Sequence, residues 1–158
     1  VSAAFSAPAN VDIVLVASDA QVLRTAVDQI RVQGRNAAGV TGMKLRGGAR
    51  IIGAGAVFGD AAIVTVTDRG TAKVTAASEF ETKGRGGMGV RVTRFTDEQA
   101  LSFAYVGSID GLLAIVGSDD EPNKAAPDPV PVEIEMTRRD LVSAATDRPI
   151  LAVGPSRW

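Results

Sequence analysis

The sequence contains neither cysteine nor histidine. The first absence excludes a disulfide framework, a thiol nucleophile and a thiolate zinc site. The second removes the commonest general base and the usual neutral metal ligand. Long apolar runs are missing as well: the best candidate, residues 11–17, is already interrupted by Asp12, against the roughly 20 residues that a membrane-spanning helix needs. No membrane partner is expected. Aromatic residues make up only 4% of the chain, with a single tyrosine, Tyr105. Nor is there a dominant sign of charge, because 17 basic residues face 18 acidic ones, so net charge gives no attraction to nucleic acid or anionic membrane. No charged leader with an apolar signal core opens the chain, and its start at Val1 rather than Met reads as a fragment or processed product.

What is present is enough for a packed core: 46% of the 158 residues are hydrophobic, which excludes a disordered tail and bounds the chain at one or two small domains. Charge is also unevenly distributed. Residues 1–100 carry 12 basic and 9 acidic side chains, whereas residues 101–158 carry 5 and 9. Six bases against one acid fall in residues 24–50, and six against two in residues 69–94. Arginine outnumbers lysine 13 to 4, a bias that suits forked contacts to phosphate but also follows from a GC-rich genome.

The strongest signal is an internal repeat. At an offset of 50 residues the first two units align without a gap, with 10 identical positions that cluster rather than scatter. Ile13, Val14 and Val16 fall on Ile63, Val64 and Val66; Thr25 and Ala26 on Thr75 and Ala76; Gly34, Arg35, Gly39 and Val40 on Gly84, Arg85, Gly89 and Val90. A third unit keeps the phase through residues 101–106 and 112–116 but loses the glycine motif, and Leu151 stands where a fourth would open. No glycine occurs between Gly117 and Gly154, and residues 119–131 hold four prolines and four acids, which predicts a long solvated loop in place of a repeat element.

Within each unit, apolar runs rich in Val and Ile, punctuated by Gly, Asp, Asn and Ser, predict roughly four short strands. Val22, Leu23, Ala26, Val27 and Ile30 have helical spacing behind Asp19, but the equivalent segment carries Gly70, Thr71 and Thr75. Both are therefore read as extended. Residues 1–6 match the opening strands of the later units. Units of about 50 residues with four strands predict blades stacked around an axis, since one small sheet cannot bury both faces alone.

The glycine motifs have a physical reading of their own. Successive glycines allow positive φ and bring backbone N–H groups close to an anion, while Arg35 and Arg85 can fork onto phosphate oxygens. Lys44 and Arg94 recur five residues beyond Gly39 and Gly89. By strand parity, Val40, Lys44, Arg46, Val90, Val92 and Arg94 share one face, and Met43, Leu45, Thr93 and Phe95 the more apolar, core-facing one. Gly84, Gly86 and Gly89 also spell a dinucleotide fingerprint, and Gly53 to Gly59 a looser one, but strand-like sequence follows each where that site requires a helix. Asp119, Asp120 and Glu121 lack the ligand spacing of a calcium loop, so no metal or other cofactor is expected.

These motifs, each set after an apolar strand and a polar turn and followed by a second strand, resemble the C-terminal domain of the A subunit of bacterial type IIA topoisomerases, DNA gyrase and topoisomerase IV. The resemblance covers residues 1 to about 118 well and the remainder through repeat phase. It implies an all-β fold, a propeller-like β-pinwheel of strand-exchanging blades over residues 1–158, with units 1–50, 51–100 and a degenerate 101–150. The family's box is a Gln, two basic residues, two Gly, a basic residue and a Gly. Arg85, Gly86, Gly87 and Gly89 fit it, with Lys83, Gly84 and Met88 as departures; Gln33, Arg35 and Gly39 fit in the earlier copy, with Asn36, Ala37 and Ala38 in the middle. Two imperfect boxes favour a topoisomerase IV-like protein over tight gyrase-type wrapping.

By the same resemblance, the domain is not an enzyme itself but an accessory to an ATP-dependent topoisomerase in the bacterial cytoplasm. Its partners are double-stranded DNA, the ATPase B subunit, and the rest of the A subunit. The implied DNA contacts are Arg35, Lys44, Arg46, Lys73, Lys83, Arg85, Arg91 and Arg94, with Gly34, Gly39, Gly84, Gly86, Gly87 and Gly89 as box glycines. The family's cleavage tyrosine belongs to a preceding domain, and Tyr105, in an apolar strand, reads as core. The acidic third unit implies that DNA leaves the surface after the second blade, or that acids in residues 119–129 compete with it. A propeller-type protein-interaction module is the alternative.

Overall fold

The computed structural model describes residues 1–156. Among them there is no α-helix; short strands alternate with turns. In chain order these are β1 (Asp12–Ala17), β2 (Gln21–Ala26), β3 (Ile51–Val57), β4 (Ala62–Thr67), β5 (Ala72–Ala76), β6 (Val90–Arg91), β7 (Thr93–Arg94), β8 (Leu101–Gly107), β9 (Leu112–Val116), β10 (Val130–Pro131), β11 (Leu141–Val142) and β12 (Ile150–Pro155). Three sheets follow one plan. The first has the order β3-β1-β2-β6, the second β8-β4-β5 and the third β12-β9-β10. In each, an antiparallel hairpin, tight in the first two, lies at the centre and the strand that opens the next unit closes one side, with β3 on β1, β8 on β4 and β12 on β9.

The outer side is completed from further along the chain. Strand β6 pairs with β2, Val22 opposite Val90, and bridges from Met136 and Ala144 to Val74 and Ala72 do the same for β5. The fit to the pleat explains these elements. β1 and β4 are runs of β-branched residues, and their buried sets face two different cores. Val14, Val16 and Val22 meet Ile63, Phe80, Val92 and Leu101 between the first two sheets. Val64, Val66 and Val74 on the opposite face of the middle sheet meet Leu112, Val116, Ile150 and Val153 of the third. Each such side chain contributes about 1.5–3 kcal/mol on leaving water, and every sheet gains it only by stacking on a neighbour.

Gly53 and Gly55 have a packing role here. A methyl on Gly53 would lie 2.7 Å from the Ala104 carbonyl oxygen, and one on Gly55 2.9 Å from the Val106 side chain. The backbones of β3 and β8 thus touch where neighbouring sheets come together. Two glycines of the looser fingerprint make this contact, while Gly59 lies in the turn that follows β3.

The helically spaced stretch is extended through Ala26, as the comparison of the two units implied, and only residues 27–29 turn, as one 3-10 turn repeated at Ala77–Glu79. Three other expectations change. Residues 1–6 form no strand. Residues 40–46 are irregular. The parity that put Val92 outside with Arg94 fails, because the chain breaks between β6 and β7 and both Val92 and Thr93 are fully buried. The loop expected at residues 119–131 does interrupt the third hairpin, spanning the gap from β9 to β10. It closes on itself through Ser118 N–H to Lys124 O at 2.8 Å. Val132 N–H then donates to Leu112 O at 3.0 Å, so Val130 and Val132 face β9 while Pro129 and Pro131 face outward.

A buried carboxylate fastens the second hairpin. Glu98 is 8% exposed and accepts from the Thr96 N–H at 2.8 Å, the Thr96 hydroxyl at 3.0 Å and the Thr71 hydroxyl at 2.9 Å. Burial alone would raise its pKa, but these hydrogen bonds outweigh it and hold the carboxyl down at about 2. Because the folded pKa is below the unfolded one, this stabilisation is complete above about pH 4.5 and is lost as pH falls toward 2. Glu98→Gln is expected to cost about 2 kcal/mol in urea melts at pH 7 and to flatten the acid limb of the stability profile in that window. Gly53→Ala is expected to cost about 1–3 kcal/mol by overpacking, read as a lower urea midpoint at unchanged slope.

Candidate nucleic-acid interface

The second glycine box, residues 83–89, is docked by its backbone onto two neighbours. Lys83 N–H donates to Arg24 O at 2.8 Å, Gly86 N–H to Gly42 O at 2.6 Å, and Lys44 N–H to Gly87 O at 2.9 Å. Gly86 and Gly89 have φ of +82° and +75°. At Gly89 the backbone also lies directly on the Val22 carbonyl, where any Cβ would overlap, so glycine is required twice over. This docking gathers Lys44, Lys83 and Arg85 around one loop. Lys44, Arg46 and Lys83 are exposed. Arg85 is exposed too, but its guanidinium staples the loop, donating Nε–H to Gln29 O at 2.9 Å and Nη1–H to Thr41 O at 3.1 Å.

The first box is arranged differently. Residues 33–39 are exposed and irregular, closed by a turn from Ala37 N–H to Gly34 O at 3.0 Å, with Gly39 at φ +84°. Arg35 therefore stands on a loop that lies on no sheet. Arg24, another base of the first basic stretch, is spent on structure: its Nε–H meets Asp12 at 2.7 Å, and the Thr82 hydroxyl donates to the same carboxylate at 2.6 Å. These hydrogen bonds, that of Thr82 foremost, keep the Asp12 carboxyl below its usual range.

Lys73 departs from its sequence assignment. It is 2% exposed, and its ammonium donates to Val92 O at 2.9 Å, Arg138 O at 2.6 Å and Leu141 O at 3.1 Å. All three N–H bonds are occupied, so Lys73 is a core cross-link and not a rim cation. Burial pushes its pKa down to about 8, with Asp140 and Glu79 acting in the other direction. Arg91 and Arg94 do lie on the surface, and both pair with Asp140.

Residues 12–57 and 61–108 match the family described as the DNA gyrase C-terminal domain, beta-propeller. The chain belongs to that family. Among curated relatives, the DNA gyrase A subunit of Streptomyces coelicolor is 31% identical over 111 residues, 69% of this chain and 12% of that protein. Its Pseudomonas aeruginosa counterpart is 39% identical over 88 residues, 56% of this chain and 9% of that protein. The chain thus spans about a tenth of the length of these relatives. Among solved structures, the C-terminal domain of DNA topoisomerase IV superposes with a TM-score of 0.77 at 22% identity, covering 92% of this chain and 46% of that one. The DNA gyrase A C-terminal domain gives 0.68 at 16%, covering 88% and 44%. The pinwheel fold is common to all of these.

The gyrase-family frame brings out a feature that the 50-residue phase hides. Thr137 N–H donates to Val74 O at 2.9 Å and Asp140 N–H to Val92 O at 2.9 Å, repeating the bonds of Lys83 and Gly86 one sheet later. The parallel pairing of β11 with β7 repeats the contact of Gly87 with Lys44. Asp140 has φ +65° where Gly86 has +82°. Residues 137–143 therefore occupy the box position of the third unit, four residues later than the repeat phase places it. The missed functional candidates are Arg138 and Arg139, both exposed. Their adjacency, matching the two basic residues of the family's box, was the available signal. Lys73→Met is expected to lower stability by about 2–3 kcal/mol, since it removes three hydrogen bonds and takes from the Arg138 carbonyl the donor that Lys73 supplies, with no change in the salt dependence of DNA binding.

Proposed function

We propose that this domain binds duplex DNA along its box-bearing rim, through phosphate contacts with little base readout, and bends it for a parent type IIA topoisomerase of which it forms part of the A subunit. The observation that carries the reading is the docked second box. A glycine-rich loop with two left-handed glycines is fixed beside Lys44 and Lys83, with Arg46 two residues on and Arg35 on the neighbouring box. Cations on backbone-anchored loops suit an evenly charged, sequence-independent ligand. Arg85 serves this site by holding the loop.

Catalysis belongs to the parent enzyme, in the bacterial cytoplasm on the nucleoid. The protein partners are its remaining A-subunit domains and its ATPase B subunit. Residues 1–158 form one pinwheel domain or fragment, with units at 1–50, 51–100 and 101–150 and a fourth opening at 151. The imperfect boxes favour the topoisomerase IV mode, in which DNA is steered with less wrapping. A protein-docking propeller is the second reading, favoured by Met136, Leu141 and Val142, apolar side chains exposed on the third unit.

Titration of the purified chain with a linear duplex of about 150 base pairs is expected to give sequence-independent binding, with log K falling against log salt by about 0.9 per phosphate contact. The triple variant Lys44→Ala, Arg46→Ala, Lys83→Ala is expected to flatten that slope by about 2 to 3 units and to weaken every sequence alike. Absence of binding at low salt would reject the DNA reading in favour of the protein-docking one.

A further inference from the structure

The third box differs from the second in one residue with a consequence for the rim. Where Gly86 leaves the loop without a side chain, Asp140 projects a carboxylate from the same left-handed position. The Arg91 Nε–H donates to Asp140 Oδ1, and Arg94 Nη2 lies 3.7 Å from Oδ2. One carboxylate oxygen is thus hydrogen-bonded to, and the other ion-paired with, a guanidinium group of the preceding unit. Arg139 lies within electrostatic reach of the same carboxyl, which the hydrogen bond from Arg91 foremost, with the charges of Arg91, Arg94 and Arg139, holds below its ordinary range. Arg138 is exposed beside them. Two of the acids of residues 119–129 are paired elsewhere, Asp119 with Arg148 at 3.7 Å and Glu121 with Lys124 at 3.8 Å.

An oxyanion whose two oxygens each meet a separate guanidinium has the geometry of a phosphate diester held by two arginines. We propose that Arg91, Arg94 and Arg139, flanked by Arg138, form a phosphate-binding patch on the third box, and that Asp140 occupies it in the free domain as an internal substitute for a DNA phosphate. The inference rests on the reading of the domain as a duplex binder and adds to it a contact that must be released before the third box engages. Asp140 remains ionised throughout the neutral range, so DNA and not pH displaces it. The position itself does not require a carboxylate, because its N–H bond to Val92 O at 2.9 Å belongs to the backbone, and Asn and Gly both adopt left-handed φ readily.

The test is a salt titration of duplex binding by the full chain and its Asp140→Asn and Asp140→Gly variants, with thermal melts to establish that each is folded. Each exposed ion pair released is expected to tighten binding by about two- to fivefold at low salt. The slope of log K against log salt steepens by about 1 to 2 units as Arg91 and Arg94 become free. Adding Arg138→Ala and Arg139→Ala to Asp140→Asn is expected to cancel most of the gain. Folded variants that bind as the parent chain does, or more weakly, would overturn the proposal, and weaker binding would make Asp140 a residue that positions the arginines. If the parent chain itself does not bind duplex, the DNA reading falls first and the patch with it.

Discussion

The first two sheets of this domain are completed by backbone hydrogen bonds from segments well beyond the next unit's opening strand, and the position of the charged rim depends on that pairing. Val90 meets Val22 and Ala144 meets Ala72 at equivalent points of successive sheets. A strand edge left in water keeps its N–H and C=O groups hydrated. One buried between stacked sheets must find partners. Because the pairing strand follows directly on the box loop, satisfying the backbone also fixes where the loop emerges. The loop in turn lies on the preceding unit through Gly42 and Lys44. Surface charge is placed here by the interior hydrogen-bond pattern.

The two docked boxes solve the same backbone problem with opposite chemistry. Behind the second box stands Leu23, packed against a loop whose glycines let it lie flat. Behind the third stands Lys73, at the position equivalent to Leu23, with an ammonium that collects three carbonyls, two of them from a loop containing no glycine. A buried charge is a costly way to hold a backbone, and here three hydrogen bonds to carbonyls offset that cost. The loss of glycine from the third box and the lysine beneath it are one structural adjustment. Sequence comparison by residue type alone sets them 65 positions apart and unrelated.

Much of this architecture is legible in the sequence because strand pairing and stacking impose a period on apolar side chains. Ile13, Val14 and Val16 recur as Ile63, Val64 and Val66 for the simple reason that β1 and β4 occupy equivalent sites. The 50-residue phase holds wherever turns have equal length, and fails where the third hairpin carries a longer loop, which displaces the box to residues 137–143. Periodicity reports the average spacing of contacts and not the insertion between them. Lys73 misleads for a related reason: on one strand, a lysine that faces solvent and one that faces three carbonyls have the same pattern, and only the loop brought from residues 138–141 distinguishes them. The alternation at residues 90–95 fails because one apparent strand is two, each belonging to a different sheet.

The prolines of the third hairpin bear on a different matter, the behaviour of the domain in a crowded solution. In the second sheet the Ala72 N–H and C=O both bond to Ala144. At β10 and the residue before it the outward positions are Pro131 and Pro129, which have no N–H to offer. An open sheet edge invites any extended chain to add itself, and proline on such an edge removes the donors that it would pair with. Here the edge presents acceptors without donors at two successive outward positions. A segment added on that side cannot repeat the reciprocal N–H and C=O pairing that joins Ala144 to Ala72.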